Sequence, residues 1–146
     1  MSGKASRTGA FLAALTAEST EAIQAREMNI PFLPFRIGRE SRRSDWVGTS
    51  LADERRRSSP ANNDLYLPDR ADPMTVSREH CLIDRDDAGF FLADRGSRYG
   101  TIVEGETVGG PSAIRRITLS DHAVLIVGAS ISPFIFKFRI ESPPTR

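Results

Sequence analysis

Between Val76 and Ile83 the chain reads Val-Ser-Arg-Glu-His-Cys-Leu-Ile, placing a hydroxyl (Ser77), a guanidinium (Arg78), a carboxylate (Glu79) and an imidazole (His80) at four consecutive positions. The apolar run that follows, Cys81 to Ile83, reads as a buried strand, so the polar half is a turn aiming its side chains outside the core. Two other segments have the same form. Upstream lies Phe35-Arg36-Ile37-Gly38-Arg39-Glu40, and downstream lies Asp94-Arg95-Gly96-Ser97-Arg98-Tyr99-Gly100-Thr101. Each is a strand meeting a glycine-containing turn with a basic or hydroxyl residue. A guanidinium is a planar fork that fits phosphate oxygens two at a time, which makes Arg39 a candidate phosphate ligand. A surface arginine is more often simply solvated. The ordered recurrence of Ser77 and His80 downstream favours the phosphate reading.

Other chemistries find little support. His80 with Ser77 and Asp84 or Asp94 would suit a small hydrolase, but the sequence has no nucleophile-elbow motif. His80 and His122 are the only histidines and Cys81 the only cysteine, which leaves no histidine-rich or cysteine metal cluster and no disulfide. Cys81 sits in an apolar strand and reads as a small buried hydrophobe. No phosphate-binding P-loop or dinucleotide fingerprint occurs, and no cofactor is implied. A formal charge of +1 gives no global reason to expect nucleic acid. The arginines from Arg42 to Arg57 are diluted by Asp45, Asp53 and Glu54, which weakens a nucleic-acid reading of that segment too.

The motifs, taken together and in order, resemble the forkhead-associated (FHA) domain. The family pattern is Gly-Arg, an Asn-Asp-Ile-like strand, Ser-x-x-His, and Ser-x-Asn-Gly-Thr. Here these stand as Gly38-Arg39, Asn63-Asp64-Leu65, Ser77-Arg78-Glu79-His80 and Ser97-Arg98-Tyr99-Gly100-Thr101. The resemblance covers roughly residues 30 to 140. It implies an all-β sandwich of two twisted, mainly antiparallel sheets, with loops at one end that bind phosphothreonine peptides. It implies a binding module rather than an enzyme. By the resemblance, Ser77 donates to the phosphate, and a short hydroxyl suits that close approach. Without it, Ser77 would read as a turn cap. Arg78 stands where the family often has a basic or amide residue on the phosphate, and Arg98 either supplies a further cation or covers the site's edge. His80 braces the neighbouring loops, with Thr101 supporting. Gly38 and Gly100 are turn positions where a side chain would clash. Tyr99 departs from the pattern, because it replaces the asparagine that hydrogen-bonds the peptide backbone. A phenol cannot both donate and accept at that reach, but its ring offers apolar area on which an arginine can stack.

One domain's worth of chain, 146 residues, must position these turns. Residues 1–8 read as a lead-in, 9–141 as a single domain with a long basic insertion at 41–62, and 142–146 as a tail. Trp46 would pin that insertion to the sandwich. Lys4 and Arg7 followed by Ala10 to Leu15 imitate a signal peptide, but the apolar run is short and is needed as the first strand, so a cytoplasmic protein is expected. No apolar run approaches a membrane span. Thr16 to Gln24 favours helix on propensity, while the resemblance asks for two strands before Gly38, expected near 9–16 and 25–31. Further strands are expected at 35–37, 65–67, 81–84, 90–93, 101–103, 106–108, 114–119, 123–127 and 134–140. Phe134, Phe136 and Phe138 alternate with Ile135, Lys137 and Arg139, so that strand has a core face and a second face that turns to solvent. Thr16, Ser19 and Thr20 lie among Glu18 and Glu21, and Thr20 is a candidate phosphosite for the chain's own reader. The expected function is phosphothreonine-peptide binding in Ser/Thr-kinase signalling. The alternative is a degenerate module that docks an unphosphorylated partner through the same loops.

Overall fold

The computed structural model describes residues 8–40 and 61–141. Residues 1–7, most of the expected insertion with Trp46 and the Arg42–Arg57 arginines, and the 142–146 tail lie outside the described residues. Eleven strands form two sheets among the described residues. One has the order β2-β1-β11-β10-β7-β8 and the other β4-β3-β5-β6-β9. The first comprises β1 (Ala10–Ala14), β2 (Glu27–Asn29), β7 (Thr101–Val103), β8 (Glu106–Val108), β10 (Val124–Val127) and β11 (Ile135–Ile140). The second comprises β3 (Phe35–Arg39), β4 (Leu65–Leu67), β5 (Cys81–Asp86), β6 (Gly89–Asp94) and β9 (Arg116–Thr118). This is the expected all-β sandwich.

Alternation along the longer strands builds most of the core. Phe134, Phe136 and Phe138 are buried on one face of the chain entering and forming β11, and they meet Phe35, Ile37, Cys81, Ile83 and Leu92 from the opposite sheet in one cluster. Phe90 packs edge-on to Phe138 with centroids 5.3 Å apart. Each such buried side chain contributes about 1.5–3 kcal/mol. The second face of β11 carries Arg139, whose guanidinium bonds Glu27 of β2 at 2.6 and 3.0 Å and lies over the Phe11 ring.

Two further features organise the fold. β3 and β4 are parallel, pairing Ile37 with Leu65 and Arg39 with Leu67. Parallel neighbours cannot be joined by a tight hairpin and need a crossover of a dozen or more residues. A connection of at least that length between Glu40 and Asp64 is therefore a requirement of that pairing. All other strand pairs among the described residues are antiparallel.

The second feature is the helix α1 (Ala17–Ile23), inserted between β1 and β2. Both expected strands are present but shorter than 9–16 and 25–31, because the chain turns into this helix just after Thr16, which caps it in an extended conformation. Its Oγ1 accepts from the Ser19 N–H at 3.1 Å and donates to the Pro133 carbonyl. Ser19, fully buried, in turn accepts from the Ile135 N–H at 2.9 Å, tying α1 to the start of β11. The helical propensity of this stretch and the two flanking strands thus coexist. Replacing Thr16 with Ala should lower stability by about 1–2 kcal/mol, through loss of the cap and of the Pro133 link. Urea unfolding measures this, and an unchanged midpoint would show that the cap is immaterial.

Candidate functional site

The three turns singled out by their side chains meet at one end of the sandwich. Arg39 closes β3, Ser77 to His80 lead into β5, and Ser97 to Gly100 join β6 to β7. Backbone bonds continue the sheet into the turns: the Arg39 N–H donates to the Ser77 carbonyl at 2.9 Å and the His80 N–H to the Ile37 carbonyl at 3.0 Å. The His80 ring, with no exposed surface, sits between the turns. Its Nδ1 accepts from the Ser77 N–H at 2.9 Å, so the ring proton is on Nε2, which donates to the Gly100 carbonyl at 2.8 Å. Both ring nitrogens are engaged by backbone. The imidazole therefore does not act as a base on the Ser77 hydroxyl, and the Ser77–His80 pair lacks the geometry of a hydrolytic triad.

Ser77 Oγ accepts from the Arg98 N–H at 3.0 Å, and its own proton meets no acceptor among the described residues. Arg39 Nη1 donates to the Val76 carbonyl at 3.0 Å, which anchors the fork, while Nε and Nη2 have no partner among the described residues. Arg39, Ser77, Arg98 and Tyr99 line one cavity of about 360 Å³, together with Met74 and Pro73. Tyr99 thus faces the same space as Arg39. The Arg98 guanidinium carbon stands 5.5 Å from the Tyr99 ring centroid, the stacking that this pair of residue types favours. Arg78 is exposed and lines a second cavity on the other side of Arg39 and Ser77.

The FHA family model matches residues 35–128. The chain belongs to the FHA domain family. Similar solved structures include the FHA domain of the CT664 protein from Chlamydia trachomatis, 21% identical over 91% of this chain and 98% of that one, with a TM-score of 0.58. A domain solved in work on phosphothreonine-dependent FHA domain interactions is 20% identical over 92% of this chain and 98% of that one, with a TM-score of 0.57. EmbR of Mycobacterium tuberculosis, in complex with a low-affinity phosphopeptide, is 21% identical over 94% of this chain and 26% of that one, with a TM-score of 0.55. At these identities the likeness is one of fold. Comparison with curated proteins found no match.

Several further residues shape the site of this FHA domain, and Asp69 among them is not singled out by its sequence context. Asp69, buried, accepts from the N–H groups of Ala71, Thr75 and Val76 at 3.0, 2.9 and 3.0 Å and so folds the segment that presents Ser77. Asp94 accepts from the N–H groups of Gly96 and Ser97 and from the Ser97 hydroxyl, which itself accepts from the Gly100 N–H at 3.0 Å. Asn63 donates to the Arg78 carbonyl at 2.7 Å and accepts from Arg95 Nη1 at 2.6 Å. Its place against Gly38 shows why that position is glycine: a Cβ there would collide with the Arg78 carbonyl oxygen and the Asn63 side chain. Gly100 takes φ +82°, and a Cβ would lie 2.8 Å from the carbonyl oxygens of Val108 and Gly109. Thr101 is fully buried at the start of β7, opposite Val127 and Val108. Thr20 lies elsewhere, on α1, whose Glu18 and Glu21 line a third cavity with Asp69 and Arg70. Burial pushes the neighbouring Cys81 thiol up to about 12, which leaves it protonated and unreactive.

Burial lowers the His80 pKa below its ordinary 6.5, against a smaller opposing effect from the Gly100 bond. The unfolded chain therefore binds a proton that the folded ring resists. The stability from neutral His80 is fully present above about pH 6.5 and is lost as the pH falls from there through the depressed folded value. Replacing His80 with Gln should cost about 1–3 kcal/mol at pH 7 and flatten the stability profile between pH 7 and 5. Urea midpoints across that range test it; an unchanged slope would remove His80 from the acid response.

Proposed function

We propose that this FHA domain is a phosphothreonine-peptide-binding module, with Arg39 and Ser77 holding the phosphate, Arg78 and Arg98 adding positive charge, and Tyr99 contacting residues beside the phosphothreonine. The observation that carries the reading is the paired donor set: a Ser77 hydroxyl whose lone pair is taken by the Arg98 N–H, beside a guanidinium anchored at one end on Val76. A phosphate dianion satisfies both, since charge-assisted bonds from a fork and a short hydroxyl converge on adjacent oxygens. His80, Gly38, Gly100 and Thr101 support the turns without touching the ligand. The role is that of a cytoplasmic adaptor in a Ser/Thr-kinase pathway, requiring no cofactor, nucleic acid or membrane.

Arg39→Ala removes a charge-assisted bond worth roughly 1.5–3 kcal/mol. Affinity for a phosphothreonine peptide should then fall about ten- to a hundredfold. Titration calorimetry with a hit from a phosphothreonine peptide library, run beside its unphosphorylated counterpart, tests both the function and this assignment. Equal affinity in wild type and variant would remove Arg39 from the site. Binding should also weaken below roughly pH 6, where the phosphate takes its second proton.

The second reading, a degenerate module for an unphosphorylated partner, rests on Tyr99. With Tyr99 in the cavity beside Met74 and Pro73, an apolar flanking residue gains contact while backbone recognition weakens. Tyr99→Asn should therefore change preference among flanking residues and keep the need for phosphate. Should the variant bind phosphopeptides that the wild type ignores, the degenerate reading is correct.

Thr20 is proposed as an intramolecular phosphosite that competes with external peptide. Its hydroxyl bonds the Thr16 carbonyl at 3.0 Å inside α1, so reading it in cis requires α1 to unwind. Tethering raises the effective concentration to the order of millimolar, which favours occupancy even of a weak site. A protein phosphorylated at Thr20 should lose binding to added peptide; undiminished binding would dispose of the switch.

A further inference from the structure

Two cavities, not one, open on the Arg39–Ser77 pair. The second, about 510 Å³, is lined by Arg39, Ser77, Asn62, Arg78, Glu79 and Arg95. Its arginines lack, among the described residues, the carboxylate partners that several others have. Arg36, Arg70, Arg115, Arg116 and Arg139 each meet a carboxylate within 3.5 Å. Among the described residues, Arg78 and Arg95 meet none. Arg95 instead donates to uncharged oxygens, at 2.6 Å to Asn63 Oδ1 and 2.8 Å to the Asn62 carbonyl, so neutral groups fix its position while Glu79 and Asp64 act on its charge without an ion-pair contact. Arg78 is exposed and makes no side-chain bond among the described residues. With Arg39 given to the first phosphate, these two guanidiniums still outnumber Glu79, the carboxylate in the lining.

We infer that this second cavity is a site for a second anionic group on the same peptide, and that it takes a phosphate in preference to a carboxylate. The inference rests on the phosphothreonine reading above and extends it to doubly phosphorylated partners. The preference follows from geometry. Arg78 and Arg95 stand on different turns, the one entering β5 and the one leaving β6. A carboxylate has two oxygens and is filled by one fork, whereas a phosphate has three oxygens and close to two charges, enough to bridge both turns. Because the cavities share Arg39 and Ser77, the two phosphates must be near neighbours in sequence.

The test uses the 146-residue chain and peptides of one backbone in four forms: unphosphorylated, one phosphothreonine, one phosphothreonine plus a nearby aspartate, and two phosphothreonines. The second group is walked over two to four positions on either side of the first. In the best spacing the doubly phosphorylated peptide should bind about tenfold more tightly than the singly phosphorylated one, with the aspartate peptide between them. That gain exceeds the statistical advantage of offering two sites. Arg78→Gln, at an exposed position, should bring the ratio of the two affinities toward one, and Glu79→Gln should raise it. If the single phosphopeptide binds and no second phosphate improves it, the inference fails and the proposed function stands. If aspartate matches phosphate, the preference for a second phosphate is wrong. If no phosphorylated form binds, both fall together.

Discussion

The site depends on one buried hydrogen-bond chain: Ser77 N–H to His80 Nδ1, and His80 Nε2–H to the Gly100 carbonyl. Each link is short, the ring is sealed from water, and both groups it joins are backbone. A buried polar group without a partner costs about 1–3 kcal/mol, so the two turns hold the ring and the ring holds the two turns. The Gly100 carbonyl also accepts from the Gly128 N–H at 3.1 Å, which carries the same constraint across to β10. Neutral histidine suits this place because one ring nitrogen accepts and the other donates, a combination no aliphatic or acidic side chain offers.

Around that chain the fold keeps positive charge available instead of neutralising it. Away from the site, several arginines are matched: Arg36 with Asp64, Arg116 with Asp86, Arg139 with Glu27. At the site, Arg39 is anchored on a carbonyl, Arg95 on amide oxygens, and Arg98 on an aromatic face. Neutral anchors fix direction without cancelling charge, so the ordering of these long side chains is done before a ligand arrives. The acidic residues that belong to the scaffold, Asp69 and Asp94, are turned inward onto backbone N–H groups.

How much of this was legible in the sequence follows from the range of each interaction. Phe134, Phe136 and Phe138 announce a core face because alternation is local, and Ser77-Arg78-Glu79-His80 announces a turn for the same reason. The helix signal in Thr16 to Gln24 was also local and correct; what the sequence concealed was that Thr16 ends one element by capping the next. The parallel pairing of β3 with β4 leaves no trace in the sequence beyond a connection long enough for a crossover. Asp69 reads as an ordinary turn residue, and the motifs that hold Asn63, Asp94 and Arg95 do not disclose what those side chains bind. Their roles come from contacts such as Arg95 to Asn63, thirty-two positions apart, and no periodicity encodes those. Tyr99 was recognised as a departure, but only the packing places its ring beside Arg98 and in the cavity of Arg39.

The central claim is that Arg39 and Ser77, held by His80, read a phosphate. A crystal structure of the protein with a singly phosphorylated threonine peptide tests it most directly. The account predicts phosphate oxygens at roughly 2.5–3 Å from Ser77 Oγ and the free Arg39 nitrogens, with the Ser77–His80–Gly100 chain unchanged. A peptide docked with its phosphate away from both residues, or bound equally well without phosphate, would contradict it.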